Sequence, residues 1–481
     1  MMRIKKITTY FMLCYVCISF GNKAIISEDN AIDIAFDYLL FENDPDIRIT
    51  QEHTSALRSK SNAKKDWTFI AYIAADNDLR SFASRNIKQM ASVGSNENIN
   101  ILVHLDIKTN TNQKITHRYF VKQQELVQTN PNDITTQRMD SGNPETLISC
   151  CKWAIEEYPA EHYALVFWNH GTGPIDPPHG KVINPASLFN FNPLLNKLEL
   201  DRSIGFLELI SYIQEEQRGV CWDDSTGNYL SNQKIEYALN TICQSCMEGK
   251  KFDIIGFDAC LMASIEIAHL LRNYCNYMVS SQEVELGTGW HYQYALAPFQ
   301  DQSLSPAAFA QHLVDAYKKA YMQITNDFTQ SALDLSISQE LENNIHRLAN
   351  LLLSALQNQK NNSVKNLIKS SCTKVLCTHF DEPSYKDLHH MYSNLLLNVN
   401  KVRLSNPRST EITQKALQST LQQGLGIIDK MVIANSTGKN LAKAKGVSIY
   451  LPDQRMHSSY RSSPFARNNN WLAFIEQNIR L

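Results

Sequence analysis

The chain lacks an excess of charge of either sign, because 46 Lys and Arg residues oppose 48 Asp and Glu residues over 481 positions. This balance gives no reason to expect a nucleic-acid or membrane-surface partner. Beyond the N-terminus there is no apolar run of about 20 residues, so no membrane span is expected in the mature chain. The motifs G-x-S-x-G, G-x-x-x-x-G-K-[ST] and H-E-x-x-H are also missing. Serine-hydrolase, P-loop and zincin chemistry therefore have no support.

The first 21 residues have the order of a secretory signal peptide. A basic start, "MMRIKK", precedes the apolar "ITTYFMLCYVCISF", and the small residues Ser19 and Gly21 suit cleavage after Gly21. We predict a signal peptide over 1–21 and a secreted, periplasmic or cell-envelope protein. A lipid-anchored start is the alternative, but neither Cys14 nor Cys17 follows the small residue that such a site usually requires.

The cysteine count indicates at least one free thiol. Removal of the signal peptide reduces the 11 cysteines to an odd number, and an unpaired cysteine in an exported protein suggests a free thiol. The pairs Cys150-Cys151 and Cys243/Cys246 could form disulfides or stay reduced. A zinc site on "CQSC" would need a second ligand pair, for which the adjacent histidines of "DLHHMY" are poorly suited. We predict no metal site of this kind.

Strand-like and helix-like segments alternate after a polar region over 22–66, which we interpret as a pro-segment or linker. The runs at 67–74, 99–106, 163–170, 252–258 and 276–282 are nearly continuous in apolar residues, as in strands that are covered on both faces. Helical patterns lie between them at 79–90, 144–157 and 261–272. We therefore predict the α/β class, with a three-layer αβα sandwich around a mostly parallel sheet over 67–300.

Two further regions complete the predicted organisation. The proline-rich region 174–217 interrupts the alternation, either as a long loop or as an insertion with one helix at about 203–217. Residues 301–481 are mainly helical and are predicted to form a subdomain. The strand-like run at 446–452 returns near the end, and we expect it to join the core sheet.

Two residues with nucleophile and base chemistry follow neighbouring predicted strands. His170 closes "YALVFWNH" and Cys260 closes "FDIIGFDAC", so a parallel sheet would bring both to one edge, where ligands bind in open α/β folds. A helix that begins at Leu261 would lower the pKa of the thiol. The N–H groups of Gly171 and Cys260 could hold a tetrahedral oxyanion. A lone His or buried Cys is more often structural, but together they favour catalysis.

These residues lie in motifs that resemble the clostripain family of cysteine peptidases. The resemblance spans about residues 67–475 and is carried by "YIAADNDL", "NHGTG", "RGVCWDDSTGNYLS", "IIGFDACLMASIEIA", "SSQEVELGTGWHY", "SALDLS" and "GVSIYLP". That family is grouped with caspases, legumains and gingipains. The resemblance implies a caspase-haemoglobinase-like fold, a dyad of His170 and Cys260, and peptide or protein substrates cleaved after basic residues.

The resemblance also implies that Asp258 lines the pocket for the basic P1 side chain. A carboxylate there could hold a guanidinium in a charge-assisted contact, although Asp258 could instead cap the helix expected from Leu261. Where relatives supply a second pocket acid, this chain has Thr288, and Glu283 and Glu285 are nearby substitutes. A strict Arg preference is therefore open, and Lys remains an alternative.

Two further properties follow only from the resemblance. Relatives mature by self-cleavage between the His and the Cys, and the basic residues in this interval are Lys181, Lys197, Arg202 and Arg218. Of these, we expect Arg218 to be the least accessible. Some relatives require calcium, so we expect either no cofactor or Ca²⁺, for which this chain offers the hard oxygen ligands of Asp76, Asp78, Asp223 and Asp224.

The sequence leaves two alternatives to a peptidase. One is an exported binding protein that keeps the fold without turnover, which the intact His170, Gly171 and Cys260 argue against. The other is a peptide ligase or transpeptidase, because an amine can capture a thioester in place of water.

Overall fold

The computed structural model describes residues 47–51, 64–109, 113–130, 133–175, 188–203 and 219–480. The predicted signal peptide, most of the predicted pro-segment, Lys181 and Arg218 lie outside these ranges. Among the residues described, no helix combines the length and apolar character needed to cross a membrane.

The described strands are β1 (Arg48–Gln51), β2 (Lys65–Ala75), β3 (Ile99–Lys108), β4 (Lys114–Lys122), β5 (Glu125–Gln128), β6 (Ala160–Trp168), β7 (Phe189–Asn192), β8 (Lys197–Leu200), β9 (Val220–Asp223), β10 (Asn228–Leu230), β11 (Phe252–Asp258), β12 (Cys275–Ser280), β13 (Thr329–Asp334), β14 (Tyr385–Asp387), β15 (Val432–Thr437) and β16 (Ser448–Tyr450). The described α-helices are α1 (Arg80–Val93), α2 (Pro144–Glu157), α3 (Asn232–Ser245), α4 (Ile265–Leu271), α5 (Tyr292–Leu296), α6 (Pro306–Tyr321), α7 (Ser338–Asn358), α8 (Ser363–Cys372), α9 (Leu388–Asn398), α10 (Pro407–Met431), α11 (Pro464–Asn468) and α12 (Trp471–Arg480).

A 10-stranded sheet in the order β1-β5-β4-β3-β2-β6-β11-β12-β13-β15 forms the centre of the molecule. The five middle strands, from β3 to β12, run parallel to one another. Antiparallel pairs extend the sheet on both sides, and β1 adds a parallel edge strand. The predicted α/β class with a mostly parallel sheet is confirmed.

Helices cover both faces of this sheet because alternate residues of its buried strands point in opposite directions. In β2, Trp67 and Phe69 join one apolar cluster with α1, α5 and α6, whereas Ile70 and Tyr72 join the other with α2, α3 and α4. The three-layer αβα arrangement is therefore confirmed. The C-terminal helices α7 to α10 bury their apolar faces in the second cluster, so the helical part shares a core with the sheet.

The structure differs from the sequence prediction at the strand expected near 446–452. β16 does not join the core sheet but pairs with β14 in a separate two-stranded sheet. The edge of the core sheet is taken by β15, which pairs with β13 directly after helix α10 ends at Met431. The prediction missed β15 because an edge strand with one exposed face lacks the continuous apolar run used to identify core strands.

The described part of the 174–217 region contains a β-hairpin. Strands β7 and β8 pair antiparallel, and the N–H of Leu198 donates to the carbonyl oxygen of Ile324 at 2.8 Å. This hydrogen bond attaches the hairpin to the segment between α6 and β13. The helix predicted at about 203–217 lies outside the described residues except for its first position.

Candidate active site

The segments that carry His170 and Cys260 leave adjacent parallel strands at the same level. Trp168 at the end of β6 is paired with Asp258 at the end of β11, so each candidate residue lies two positions beyond this pair. The two segments also touch each other, because a Cβ added at Gly171 would lie 2.5 Å from the carbonyl oxygen of Cys260. Only glycine leaves room for this approach.

His170 and Cys260 line one cleft at the carboxyl edge of the sheet, and both are about 4% exposed. The cleft encloses about 290 Å³, including open solvent at its mouth. Its lining is Leu79, Trp168, Asn169, His170, Asp258, Ala259, Cys260, Glu285, Leu286, Gly287 and Gly289. A nucleophile, a base and two carboxyl groups therefore share one site.

The imidazole of His170 is oriented by Asp78, a residue that follows β2. Its Nε2 lies 2.7 Å from Oδ1 of Asp78, a contact that fixes the orientation of the ring. Asn77 fixes the turn before Asp78, because its amide donates to the carbonyl oxygens of Ala74 and Trp222. Sequence reasoning considered Asp78 only as a calcium ligand. The missed signal is its position after a strand beside β6.

The surroundings of Cys260 differ from the expected helix terminus. Helix α4 begins at Ile265, and the side chain of Ser264 caps it by accepting from the N–H of Ile267. The prediction of a helix from Leu261, and of a thiol pKa lowered by that helix, is wrong. Burial instead raises the pKa of the Cys260 thiol well above its ordinary value. Its Sγ accepts from the N–H of Glu285 at 3.3 Å.

The turn after Cys260 is held in an unusual backbone conformation. Leu261 has φ of +64°, a region that costs a residue with a side chain of the order of 1–3 kcal/mol. Its N–H donates to the carbonyl oxygen of Glu283 at 3.2 Å. Within the described residues, the N–H groups of Gly171 and Cys260 donate to no backbone oxygen, so both groups are available as donors.

Asp258 and Glu285 place two carboxyl groups at the cleft. Asp258 accepts from the N–H of Trp290 at 2.9 Å and from the hydroxyl of Tyr292 at 2.7 Å. It caps no helix, and burial raises its pKa to about 6. A Cβ on Gly289 would lie 2.7 Å from its carboxylate oxygens, so this glycine makes room for the acid.

Glu285 is the less satisfied member of this pair. Both of its carboxyl oxygens are buried and have no well-formed hydrogen bond within the described residues, although Asp258 and the indole of Trp290 lie beside them. Burial, followed by the negative charge of Asp258, raises the pKa of Glu285 well above its ordinary value. A pair of poorly solvated acids is suited to accept a cation from solution.

Glu283 and Thr288, the other two candidate pocket residues, do not line the cleft. Glu283 accepts from Arg202 at 2.9 Å on one oxygen, and from the N–H groups of Val284 and Asp381 on the other. The hydroxyl of Thr288 lies 2.8 Å from that of Tyr321. Of the three positions proposed beside Asp258, the structure brings only Glu285 to it.

The acids suggested as calcium ligands are largely engaged by other groups. The ammonium of Lys114 donates to Asp76 at 3.1 Å, to Asp106 at 2.9 Å and to Asp223. In the part of the chain that the structure describes, no group of three or more His, Cys, Asp and Glu side chains is arranged to hold a metal ion.

The remaining acid, Asp224, lies close to His170. Burial and the negative charges of Asp78 and Asp76 raise its pKa to about 6, while His170 acts in the opposite direction.

The side chains of both self-cleavage candidates within the described residues are engaged by other parts of the chain. Lys197 lies in β8, and its ammonium donates to the carbonyl oxygen of Met322 at 2.9 Å and to Oδ1 of Asn326 at 2.8 Å. Arg202 is held by Glu283 and, at 3.5 Å, by Asp327. Both side chains thus attach the hairpin to the body, although Arg202 itself lies in an exposed turn. The lower accessibility expected of Arg218 stays a prediction, because that residue lies outside the described ranges.

All nine cysteines beyond the predicted signal peptide are free thiols, and each lies within the described residues. Cys243 and Cys246, which could have paired, lie at the end of helix α3.

Comparison with known proteins agrees with this arrangement. The model of the clostripain family matches residues 71–183 and 208–478. Clostripain from Hathewaya histolytica is 21% identical over 534 residues, which cover 98% of this chain and 90% of that protein. The unmatched stretch between the two family segments contains the β7–β8 hairpin.

Solved structures share the fold. A secreted C11 cysteine protease from Bacteroides thetaiotaomicron, in complex with an irreversible peptide inhibitor, is 19% identical with a TM-score of 0.54, covering 86% of this chain and 99% of that one. An inactive zymogen of a C11 protease from Parabacteroides distasonis is 18% identical with a TM-score of 0.50, covering 85% and 99%. With the family match over most of its length, the chain belongs to the clostripain family of cysteine peptidases.

Proposed function

We propose that this peptidase is an endopeptidase that cleaves after Arg or Lys through a thioester on Cys260. The observation that carries this proposal is the buried acid pair, Asp258 and Glu285, in the same cleft as Cys260 and His170. A guanidinium or ammonium that enters the cleft would neutralise the pair, in which Glu285 has no well-formed hydrogen bond within the described residues. An Arg side chain offers the planar, bidentate geometry that carboxylates prefer.

Binding of the basic side chain also releases a proton. Because the pKa values of Asp258 and Glu285 are raised, this pair of carboxyl groups carries a bound proton at mildly acidic pH when no substrate is present. A cation at P1 favours the charged carboxylates, so the proton leaves as the substrate binds. Recognition of the basic residue should therefore weaken as the pH falls and the pair becomes protonated.

Acylation uses the two strand-end residues. The thiol proton of Cys260 passes to His170 as the sulfur attacks the carbonyl carbon of the substrate, because a thiol with a raised pKa is not a stable thiolate beforehand. The N–H groups of Gly171 and Cys260 are proposed to hold the oxyanion. Asp78 stabilises the imidazolium, which then donates its proton to the leaving amine.

Deacylation reverses these roles. His170 takes a proton from water, the hydroxide attacks the thioester carbonyl, and the sulfur leaves as the thiolate, which regains the proton from the imidazolium. The acid product departs with its basic side chain. Burial of the thiol favours this return to the neutral resting form.

We also propose that the chain is exported and matures by self-cleavage. The N-terminal pattern supports export, and the basic residues between His170 and Cys260 support self-cleavage in this interval. The occupied side chains of Lys197 and Arg202 favour Lys181 or Arg218 as the cleaved position. We also propose that no calcium is required, because Lys114 supplies a cation to the nearby carboxylates.

The test compares the purified full chain on fluorogenic peptides that differ only in Arg, Lys or citrulline at P1. Citrulline keeps the shape of Arg without its charge, so we expect kcat/KM to fall at least about tenfold, the size of a charge-assisted contact. Cys260→Ala should abolish turnover and self-cleavage, followed by intact mass. Equal turnover of Arg and citrulline peptides would refute basic specificity, whereas absence of turnover in the wild type would favour a silent binding protein.

A further inference from the structure

A second cavity lies between helix α4, the first half of α7 and the end of α11. It encloses about 390 Å³, again including open solvent at its mouth. Its lining is polar except for one phenylalanine and consists of His269, Arg272, Gln339, Glu342, Asn343, His346, Phe465, Asn468 and Asn469. This cavity shares no residue with the catalytic cleft. It adjoins the far end of α4, about 12 Å along the helix from its cap at Ser264.

The carboxylate of the cavity is already neutralised. Oε2 of Glu342 accepts from Arg272 at 2.5 Å and lies 2.8 Å from Nδ1 of His269, while Oε1 accepts from the hydroxyl of Ser338 at 2.8 Å. Glu342 and His269 are both more than nine-tenths buried, at 5% and 9% exposure. The Glu342 carboxylate is therefore held rigidly, and its negative charge is compensated by neighbouring groups of the protein.

The amide oxygens of the lining are engaged as well. Oε1 of Gln339 accepts from Arg272, Oδ1 of Asn343 accepts from Gln339 at 3.1 Å, and Oδ1 of Asn469 accepts from the N–H of Trp471 at 3.0 Å. Of the side-chain amides, only Asn468 has an oxygen that accepts from no donor within the described residues. The cavity has little capacity left for a ligand that donates hydrogen bonds.

The unused capacity consists of donors. Arg272 uses Nη1 for both of its acceptors, so Nε and Nη2 have no acceptor within the described chain. Nδ1 of His346 accepts from the N–H of Asn470 at 3.2 Å, so the neutral ring carries its proton on Nε2. The amide nitrogen of Asn343 likewise has no acceptor within the described residues. Three side chains thus present N–H groups at one cavity without matching acceptors.

We propose that this cavity is a binding site for a small organic anion that bears a carboxylate or phosphate group. Arg272 provides the unused N–H groups of Nε and Nη2 and His346 a fixed N–H, while Asn343 contacts a peripheral oxygen. Because Arg272 is held by Gln339 and Glu342, its remaining N–H groups are preorganised, which lowers the entropy cost of binding. The site is separate from peptide cleavage and does not depend on the proposed specificity.

The test is calorimetric titration of the purified Cys260→Ala chain, which cannot cleave itself, with inorganic phosphate and, separately, with citrate. Arg272→Gln and His346→Phe each remove a donor from the cavity. Arg347→Gln is the matched control, because Arg347 is exposed on the same helix and does not line the cavity. Thermal unfolding verifies that each variant is folded.

We expect saturable binding that weakens about tenfold or more in Arg272→Gln and His346→Phe, as for loss of a hydrogen bond to a charged group. Arg347→Gln should change the affinity less than about twofold. Response to one anion alone would identify phosphate or carboxylate as the recognised group. Absence of binding to the parent chain, or equal weakening in the control, would overturn the proposal. His346→Phe keeps the test decisive if Arg272→Gln fails to fold.

Discussion

At the scale of single residues, Asp78 has the clearest unrecognised role. Its carboxylate lies 2.7 Å from Nε2 of His170, which fixes the ring and would stabilise the imidazolium of the proposed acylation step. Asp78→Asn should lower kcat by roughly 10²-fold or more, the range for impaired acid–base catalysis, with little change in KM. Steady-state kinetics against an Arg peptide measure both quantities.

Asp224→Asn is the control for this prediction. Asp224 contributes negative charge near the same imidazole, whereas Nε2 of that ring lies 2.7 Å from Asp78. Its replacement should change kcat only several-fold. Equal losses in the two variants would show that general electrostatics, and not the hydrogen bond that His170 donates to Asp78, support His170.

Glu285 offers a prediction in which stability and activity move in opposite directions. Its raised pKa means that the folded state binds a proton more tightly than the unfolded state, so stability is full below the unfolded pKa and is lost as the pH rises toward the folded value. Glu285→Gln should therefore match wild type at pH 4. Above that, its free energy of unfolding should exceed that of wild type by up to about 1.4 kcal/mol per pH unit.

The same substitution should impair substrate binding. Removal of one of the two cleft carboxylates should lower kcat/KM for Arg peptides about tenfold, while a citrulline peptide is affected less. Glu283→Gln is the matched control, because that carboxylate faces Arg202 and lies outside the cleft. Urea unfolding at pH 4 and pH 8 and peptide kinetics are the measurements. A Glu285→Gln chain that is less stable at pH 8 would contradict the account.

At the scale of elements, strand β14 connects the helical part to the segment that bears Gly171. The hydroxyl of Tyr385 donates to the carbonyl oxygen of Thr172 at 2.5 Å and accepts from the N–H of Ile175 at 3.4 Å. Its ring also packs where a Cβ on Gly173 would lie. Tyr385 is thus a positioning residue for the proposed oxyanion donor. Tyr385→Phe should reduce kcat about tenfold with KM unchanged, because loss of a full oxyanion donor costs more.

Tyr450→Phe is the control on the partner strand β16. Its hydroxyl accepts from the N–H of His457 at 2.8 Å, away from the cleft. Both variants lose one buried hydroxyl and should lose about 1 kcal/mol of stability. Only Tyr385→Phe should slow turnover. If both variants retain the wild-type kcat, β14 has no part in holding the segment.

The elements also show what could be predicted from the sequence. Buried parallel strands are continuous apolar runs, so β2, β3, β6 and β11 were recognisable, and the parallel arrangement then brought His170 and Cys260 to one edge. The start of α4 could not be predicted in this way. The apolar residues Leu261 to Ala263 continue the helical pattern, but they form a turn in which Leu261 has φ of +64°. The contact of Asp78 with His170 was missed, and Glu285 could not be chosen among the pocket candidates. Both roles depend on contacts between segments that are distant in the sequence.

At the scale of the whole molecule, Lys114 joins three separate parts of the chain through buried carboxylates. Asp76 follows β2, Asp106 lies in β3, and Asp223 ends β9. The side chains of Asp106 and Asp223 are fully buried, whereas that of Lys114 is 13% exposed. This ammonium therefore balances negative charge next to the turn that carries Asp78. We propose that this internal cation takes the place of an external one at this position.

The contacts of Lys114 predict how the protein responds to metal ions. EDTA or added Ca²⁺ should leave the activity and the unfolding midpoint of wild type unchanged. Lys114→Gln should lose about 3–5 kcal/mol, because removal of one partner leaves buried carboxylates uncompensated. Added Ca²⁺ should restore part of that loss, since the freed carboxylates are hard oxygen ligands. Urea unfolding with EDTA or Ca²⁺ measures this, with Lys122→Gln as the control on the same strand. Loss of wild-type activity in EDTA would show instead that a metal site exists elsewhere and that Lys114 does not replace it.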